Sequence, residues 1–444
     1  MHITRIARLK AGRQKNINIR MIRHDLEGDN IMTRLCALAT VCLLPLICAS
    51  NFAAAECGIE SGSVRVLSND IDSLGVVLNE ARQCVSDTVN VRINRTTEHK
   101  SIQVSALAID PAIYSVAMVS TNTLPPLLSA GLVRPLDEYV EKYGQDLKPD
   151  QLIKIDGKTV AIAFMANSQH LFMRGDILSD LGIPPPKTYQ EVLNAARTIK
   201  EAGIMKYPLA AAYEAGWYLG NEFVNNYLGL GGQFFEPGSA EPSINNPKGV
   251  QVLQLMKEMT EYMPPEYLTL TADDLKKLYL DGKVAIINQW GSMVNSHLDP
   301  NGAAPEISDA TLIAPAPTLG GYDIPAAALW WDGFTIAKNV SDEDAEASFR
   351  AMMYGMRSSV ANEHPNAATW LIKGYQAPEG AKGVLDTISS GGRPYPMNPF
   401  MGIMHAALGS ELTDFMQGRE SAEQALADVE AAYRTSARAS GFLD

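Results

Sequence analysis

Tryptophans and their polar neighbours are the residues of this chain whose chemistry could build a binding site. An indole face matches the C–H face of a sugar ring, and Asp, Glu, Asn or Arg side chains match its hydroxyl edge. Trp331 stands directly before Asp332, which places a ring beside a carboxylate. A lone tryptophan is more often packed in a core, so the residue type alone leaves both roles open. The five tryptophans are Trp217, Trp290, Trp330, Trp331 and Trp370.

The sequence contains no recognisable set of catalytic groups. Glu363 and His364 lack the second histidine of a zinc-protease helix, and neither a G-x-S-x-G turn nor a phosphate-binding glycine loop occurs. Carboxylates are plentiful, so composition does not exclude a glycoside hydrolase, but nothing singles out a carboxylate pair. We therefore predict a protein that is not an enzyme, with no catalytic residue, no cofactor and no metal site.

Polar residues follow three predicted strands at 64–68, 89–93 and 113–119. Helix-length segments at 71–84 and 98–108 separate these strands, and that alternation predicts βαβ units with a parallel sheet. In such sheets the ligand crevice lies outside the carboxyl ends of the strands. The same polar residues could instead close turns or cap helices. The candidates at the three strand ends are Asn69, Asp70, Thr97, Glu98 and Asn122.

The N-terminal region resembles an export signal. Residues 32–55 combine Arg34, a short apolar run and a small-residue ending, and the run is too short to span a bilayer. We therefore predict a signal peptide at 32–55, a mature start near Glu56, and a non-native upstream extension at 1–31. No small residue directly precedes Cys48 or Cys57, which argues against a lipid anchor. Cys57 and Cys84 remain after cleavage, and we predict a disulfide between them.

Length and charge restrict the remaining function classes. Residues 56–444 are too many for one core and suit two lobes. The first 55 residues hold 8 Lys/Arg and 3 Asp/Glu, which leaves a formal charge of about −18 on the rest. An acidic surface argues against a nucleic-acid partner. No later apolar segment reaches transmembrane length.

Several segments, in order along the chain, carry family-like patterns. Arg134-Pro135-Leu136-Asp137 follows a short helix ended by Gly131, and Asp156-Gly157-Lys158 feeds an alternating strand. Together with the others, these segments resemble the bacterial extracellular solute-binding protein family that includes maltose-binding protein. Two departures are Arg174-Gly175 after the hinge strand and Trp330-Trp331-Asp332 before a later strand. The remaining matching segments are 171–178, 181–189, 281–291, 333–337 and 414–426.

The resemblance implies a two-lobe α/β periplasmic-binding fold (type II) that closes on a ligand around a hinge. Lobe 1 would hold residues 56–164 and 315–358, and lobe 2 residues 165–314 and 359–444. It also implies a monomeric, soluble periplasmic component of an ABC importer that delivers a small molecule to a permease. Service to a chemoreceptor, or adhesion, is compatible with the same fold.

The resemblance also places side chains at the cleft. Trp290 is the first stacking candidate, followed by Trp217 and Trp331, whereas Trp330 ranks lower and Trp370 is assigned to packing. A cleft rich in Trp, Asn and Asp but poor in Lys favours a sugar or polyol over a phosphate ester, with a polyamine as the alternative. The further polar candidates are Asp332, Asn167, Glu214 and Arg393.

Overall fold

The computed structural model describes residues 58–444, which form a mixed α/β structure with two sheets. The strands are β1 Ser63–Ser68, β2 Asn90–Arg95, β3 Val116–Ser120, β4 Leu152–Ile155, β5 Lys158–Asn167, β6 Gln169–Arg174, β7 Leu209–Ala210, β8 Ile286–Trp290, β9 Thr311–Ala314, β10 Ala328–Ile336, β11 Thr369–Trp370 and β12 Arg393–Pro394.

Helices surround both sheets. They are α1 Asp72–Arg82, α2 His99–Ala108, α3 Leu124–Ser129, α4 Asp137–Tyr143, α5 Gly175–Asp180, α6 Tyr189–Glu201, α7 Trp217–Gly229, α8 Pro247–Met259, α9 Ala272–Leu280, α10 Val294–His297, α11 Pro305–Asp309, α12 Asp342–Gly355, α13 Ser358–Glu363, α14 Lys382–Ser389, α15 Met401–Met416 and α16 Ala422–Ala439. Within the described residues, no helix is both long and apolar enough to cross a membrane.

The first sheet has the strand order β11-β5-β10-β3-β1-β2, with β4 paired to β5 and β12 to β10. Strands β1, β2 and β3 are parallel, as the alternating pattern predicts, whereas β10 runs antiparallel to β3 and β5. Asp332 of β10 pairs with Ser120, the last residue of β3. The carboxyl ends of β1, β2 and β3 therefore share one edge of the sheet with the middle of β10.

The second sheet has the order β7-β8-β6-β9. Strand β6 is antiparallel to β8, and Gln169 at its start pairs with Trp290 at the end of β8. One hydrophobic core packs around the first sheet and extends from Ile59 to Met165 and from Phe334 to Ile372. A second core packs around the second sheet. We call the elements around these cores the first lobe and the second lobe.

The chain passes between the two cores three times. It crosses first between β5 and β6, where Met165 belongs to the first core and Leu171 to the second. It crosses again within β10, because Trp330 packs in the second core and Phe334 in the first. The last crossing lies between Ile372 and Tyr395. The cores thus group 319–330 with the second lobe and 361–372 with the first, which differs from the predicted boundaries at 315 and 359.

Local sequence accounts for several element boundaries. Thr188 accepts a 3.2 Å hydrogen bond from the Glu191 backbone N–H, and the Glu191 carboxylate accepts from the Thr188 N–H, so the predicted capping box starts α6. Ser341 accepts from the Asp344 N–H at the start of α12 in the same manner. Strand β3 begins at Val116, later than predicted, because Ile113 is exposed and the Ser115 hydroxyl is bonded to Arg65 N–H.

Some predictions concern residues outside the described part of the chain. The extension at 1–31, the signal peptide at 32–55 and Cys57 all fall there. Cys84 is buried beside the first core and belongs to a disulfide. Its pairing with Cys57 stays a prediction.

Candidate ligand-binding cleft

Three tryptophans from three different elements meet at the boundary between the lobes. Trp217 begins α7, Trp290 ends β8, and Trp330 lies in β10. The ring centroids of Trp217 and Trp290 are 6.2 Å apart, and Trp330 lies 6.0 Å from each. Trp217 and Trp290 are half-buried, whereas Trp330 is buried. We call these three residues the tryptophan cluster.

His405 and Tyr395 support the cluster from behind. His405 stacks on Trp217 at 5.1 Å between centroids, and Tyr395 packs on Trp330 at 4.3 Å. His405 Nε2 lies 2.8 Å from the Trp217 carbonyl, which only accepts, so Nε2 carries the proton and Nδ1 accepts from the Tyr395 hydroxyl at 2.9 Å. Burial lowers the pKa of His405 to about 4, so the ring is neutral near pH 7.

Two glycines allow α15 to approach the turn before Trp217. A Cβ on Gly409 would lie 2.3 Å from the Gly216 carbonyl oxygen, so a larger residue there would push the helix away. Gly216 has a φ of 114°, a conformation that other residues rarely adopt. This close contact fixes the position of the Trp217 ring relative to His405.

The first lobe contributes a charged pair to the opposite side. The Lys100 ammonium on α2 lies 5.0 Å from the Trp217 ring centroid. Its side chain is exposed overall, but burial of the ammonium end lowers its pKa, which the Asp332 carboxylate partly offsets. Burial raises the pKa of Asp332 to about 6, and Lys100 counteracts that rise. The charges of the two groups therefore act on each other, Lys100 from α2 and Asp332 from β10.

A cavity of about 560 Å³ lies next to Trp217 and takes residues from both lobes. Asn122 reaches it from the first lobe, while α15 presents small and hydroxyl side chains from the second. The size and the mixture of rings with polar groups suit a small polar ligand. The other lining residues are Ala215, Gly216, Trp217, Tyr395, Gly402, His405, Ala406, Gly409, Ser410 and Thr413.

Asn167 joins the lobes at the first chain crossing. Its Nδ2 donates to Ser292 Oγ at 3.1 Å, and its Oδ1 accepts from the Ser292 backbone N–H at 3.1 Å. Asn167 ends β5 of the first sheet, and Ser292 follows β8 of the second. The predicted side chain is therefore at the boundary, in a bonded position beside the tryptophan cluster.

The remaining candidates on the first lobe lie along the cleft-facing edge of its sheet. Asn69 is half-buried, and its side chain accepts from the Asp70 N–H. Asp70 pairs with Arg95 at 2.7 Å. Thr97 and Glu98 are exposed just before α2. Asn69 and Asp70 are therefore held by a local hydrogen bond and an ion pair, so a ligand would have to compete with these contacts or bind beside them.

Other candidates lie further from the cluster. Trp331 is half-buried, packs against the first core, and donates its backbone N–H to Thr121. Glu214 precedes the Gly216 turn and is half-buried. Arg393 lies beside Gly231, just beyond the C-terminal end of α7. Because Trp217 starts that 13-residue helix, which spans about 20 Å, the structure does not bring Arg393 to the tryptophans.

The central part of the chain matches a known protein family. Residues 113–355, more than half of the chain, match the bacterial extracellular solute-binding protein family. The chain belongs to this family. Its members bind solutes outside the cytoplasm and are not enzymes as a class.

Curated relatives match this solute-binding protein over only part of their length. A probable ABC transporter-binding protein of Deinococcus radiodurans is 26% identical over 190 residues, which are 38% of this chain and 43% of the relative. The sn-glycerol-3-phosphate-binding periplasmic protein of Agrobacterium fabrum is 23% identical over 198 residues, 40% of this chain and 43% of that protein. The match therefore spans less than half of each relative.

Solved structures match over most of the chain and show the two-lobe fold. A solute-binding protein of Agrobacterium radiobacter in complex with ribitol has a TM-score of 0.73 at 17% identity, covering 85% of this chain and 99% of that one. A maltose-bound T. maritima protein has a TM-score of 0.71 at 18% identity, with the same coverage. A solute-binding protein of Agrobacterium vitis with bound D-mannitol has a TM-score of 0.67 at 19% identity, and the match covers 87% of this chain and 100% of that one.

The solute-binding protein also has a buried polar layer beneath the second-lobe wall. Glu222 and Asn225 of α7 are 1% exposed, and Asn225 Nδ2 donates to Gln169 Oε1 at 2.5 Å. Asn288 of β8 donates to the same oxygen at 3.3 Å. Burial raises the pKa of Glu222 to about 8, against hydrogen bonds from Gln169 and Asn288, so its carboxyl is largely protonated at pH 7. This layer ties α7 to strands β6 and β8 of the second sheet.

Four cleft residues were missed or ranked low from the sequence. Lys100, Tyr395 and His405 were not predicted, and Trp330 ranked below Trp331. His405 lies in the middle of a helix, and Lys100 follows the capping position of another, so nothing local marks either one. Only Tyr395 had a signal, because it lies two residues after the predicted Arg393. Among residues 58–444, no group of three or more His, Cys, Asp or Glu could hold a metal ion.

Proposed function

We propose that this protein is the periplasmic solute-binding component of an ABC importer and binds a carbohydrate, either a sugar or a polyol, between its lobes. The tryptophan cluster supports this most directly, because half-buried Trp217 lines a cavity of about 560 Å³ and half-buried Trp290 stacks against Trp217. Asn122, Asp332 and Lys100 supply donors and acceptors for hydroxyl groups from the opposite lobe. The ribitol, D-mannitol and maltose held by proteins of the same fold support the same ligand class.

Delivery to a permease requires that the ligand change the shape of the protein. A solute that contacts both lobes binds the closed form more tightly and shifts the population towards it. The proposed lobes are the predicted ones, 56–164 with 315–358 and 165–314 with 359–444, except that the segment up to Trp330 moves to the second lobe and 361–372 to the first, and the three chain crossings form the hinge. A monomer, released after cleavage of residues 32–55 and carrying a Cys57–Cys84 disulfide, completes the proposal.

A thermal-shift screen of the purified protein starting at Glu56 tests the ligand class. Ribitol, D-mannitol, maltose, spermidine and citrate represent polyols, sugars, polyamines and organic acids. A ligand at about 100 times its dissociation constant stabilises the folded protein by roughly 2.7 kcal/mol. A shift with a sugar or polyol, together with a smaller radius of gyration in X-ray scattering, is the expected result. A shift with spermidine or citrate alone would reject a carbohydrate ligand, and an unchanged radius at saturation would reject closure.

A further inference from the structure

Lys100 already occupies the face of an aromatic ring in the cleft. Its ammonium lies 5.0 Å from the Trp217 ring centroid, within the range in which a cation is attracted to an indole face. Lys100 belongs to α2 of the first lobe, and Trp217 begins α7 of the second. The contact therefore spans the cleft at the tryptophan cluster.

The charge of the Asp332 carboxylate favours the protonated form of this ammonium. Lys100 is the charge that acts on Asp332, and Asp332 is the charge that acts on Lys100. His405, stacked on the same indole, is neutral near pH 7 because burial lowers its pKa to about 4. An indole face attracts a bound amine, and here a side chain of the protein already lies over that face.

We propose that Lys100 determines the specificity of this cleft: its ammonium fills the cation position over the Trp217 ring, so the cleft accepts neutral polyhydroxylated solutes and rejects amines. The proposal rests on the proposed function in placing the solute at the tryptophan cluster. A ligand ammonium would meet the like charge of Lys100 at short range in a partly buried site, where screening is weak. A hydroxyl oxygen, in contrast, accepts a hydrogen bond from the same ammonium.

The test compares the affinity for an amine before and after removal of this charge. Lys100→Ala vacates the position and leaves Asp332 without its cation. Titration calorimetry at pH 8, above the pKa of Asp332, should show that spermidine binds Lys100→Ala at least tenfold more tightly than the wild type. Lys100→Arg keeps a cation and should still reject spermidine. Adding Asp332→Asn to Lys100→Ala should abolish the gain.

Lys206→Ala is the matched control. The Lys206 ammonium also lies over a ring, 4.9 Å from the Tyr207 centroid, but next to the start of β7, at the edge of the second sheet away from the cleft. This variant should bind spermidine as the wild type does. Circular dichroism melting verifies that each variant is folded before titration.

Two outcomes would overturn the inference: a wild type that binds spermidine as tightly as the Lys100→Ala variant, or an Lys100→Arg variant that gains as much as Lys100→Ala. Failure of the proposed function would give a different result: the wild type would bind none of ribitol, D-mannitol and maltose. The spermidine comparison among the variants keeps its meaning in that case.

Discussion

The two walls of the cleft differ in how their side chains are held. The second-lobe wall is aromatic, and its rings are fixed by one another, by the His405 ring and by the tight contact of Gly409 with Gly216. The first-lobe wall is polar, and Asn69, Asn122 and Lys100 project from strand ends or the start of a helix. Each ring of the second-lobe wall packs against other rings, whereas the asparagines of the first-lobe wall are held by single polar contacts, Asn69 by the Asp70 N–H and Asn122 by the Ser120 hydroxyl.

This difference suggests a division of roles. Stacking on a fixed ring costs little conformational entropy and excludes water, so the second lobe should supply most of the affinity. Hydrogen bonds to hydroxyl groups exchange with water and contribute less each, so the first lobe should set which solute is accepted. The predictions below test this contrast, from the largest expected effect to the smallest.

The largest effect concerns the buried acid beneath the aromatic wall. The pKa of Glu222 is raised from 4.5 to about 8, so the folded protein keeps a proton that the unfolded chain releases. The free energy of unfolding should therefore fall as pH rises from about 4.5 to about 8. Glu222→Gln removes the group that titrates. In urea unfolding, the free energy of unfolding of this variant should therefore fall less between these pH values than that of the wild type, by on the order of 3 to 5 kcal/mol. Glu423→Gln, at an exposed position on α16, is the control and should match the wild type; parallel curves for Glu222→Gln and the wild type would contradict the prediction.

Removal of a stacking ring should have the next largest effect. Trp290→Ala should weaken binding of the solute identified in the screen by roughly 1 to 3 kcal/mol, because a central aromatic anchor is lost. Calorimetric titration measures the change. Trp370→Ala is the matched control, because Trp370 is buried in the first core and bonded to the His364 carbonyl, so its loss should lower stability and leave affinity intact. A Trp290→Ala protein that melts far earlier yet binds normally would assign Trp290 to the core.

Loss of the imidazole behind the cluster should have a smaller effect on binding and a distinct pH signature. His405→Phe keeps a ring but leaves the buried Tyr395 hydroxyl without its acceptor, which should cost about 1 to 3 kcal/mol of stability. Because the pKa of His405 is lowered to about 4, the wild type loses stability as pH falls from about 6.5 to about 4, and the variant should lose less. Thermal melts across this range measure both effects. Equal slopes for the two proteins would mean that His405 is not held neutral.

A polar residue of the first wall should have the smallest effect. Asn122→Ala removes one side chain from the cavity and should weaken binding by about 0.5 to 1.5 kcal/mol, with no change in melting beyond that of Asn301→Ala at an exposed loop. Calorimetric affinities for a series of related solutes measure the change. The loss should also vary across the series, because this wall sets selectivity. A uniform loss larger than that of Trp290→Ala would reverse the assigned roles of the walls.

The sequence predicted elements better than it predicted contacts. The alternating strands and the Thr188 capping box depend on residues close together in the chain, and both are confirmed. Trp217 and Trp290 were chosen by resemblance, and they do lie together. Lys100 and His405 meet at Trp217 from positions more than 300 residues apart in the chain, a relation that no local pattern encodes. The alternation of side chains along a strand predicted that Trp330 and Trp331 lie on opposite faces of β10. Which of the two joins the cluster depends on where β10 crosses between the cores, and that position is not visible in the sequence.

The three crossings between the lobes also govern when this protein can fold during synthesis. The first core needs Ile372, and the second needs Tyr433 and Ala437, close to the last residue of the chain. Neither lobe is a continuous stretch of sequence, so a nascent chain that ends before Phe334 has two unfinished cores. A chain that lacks only its final helices can complete the first core but not the second. Until those helices emerge, the second lobe exposes the apolar side chains that they cover in the folded protein.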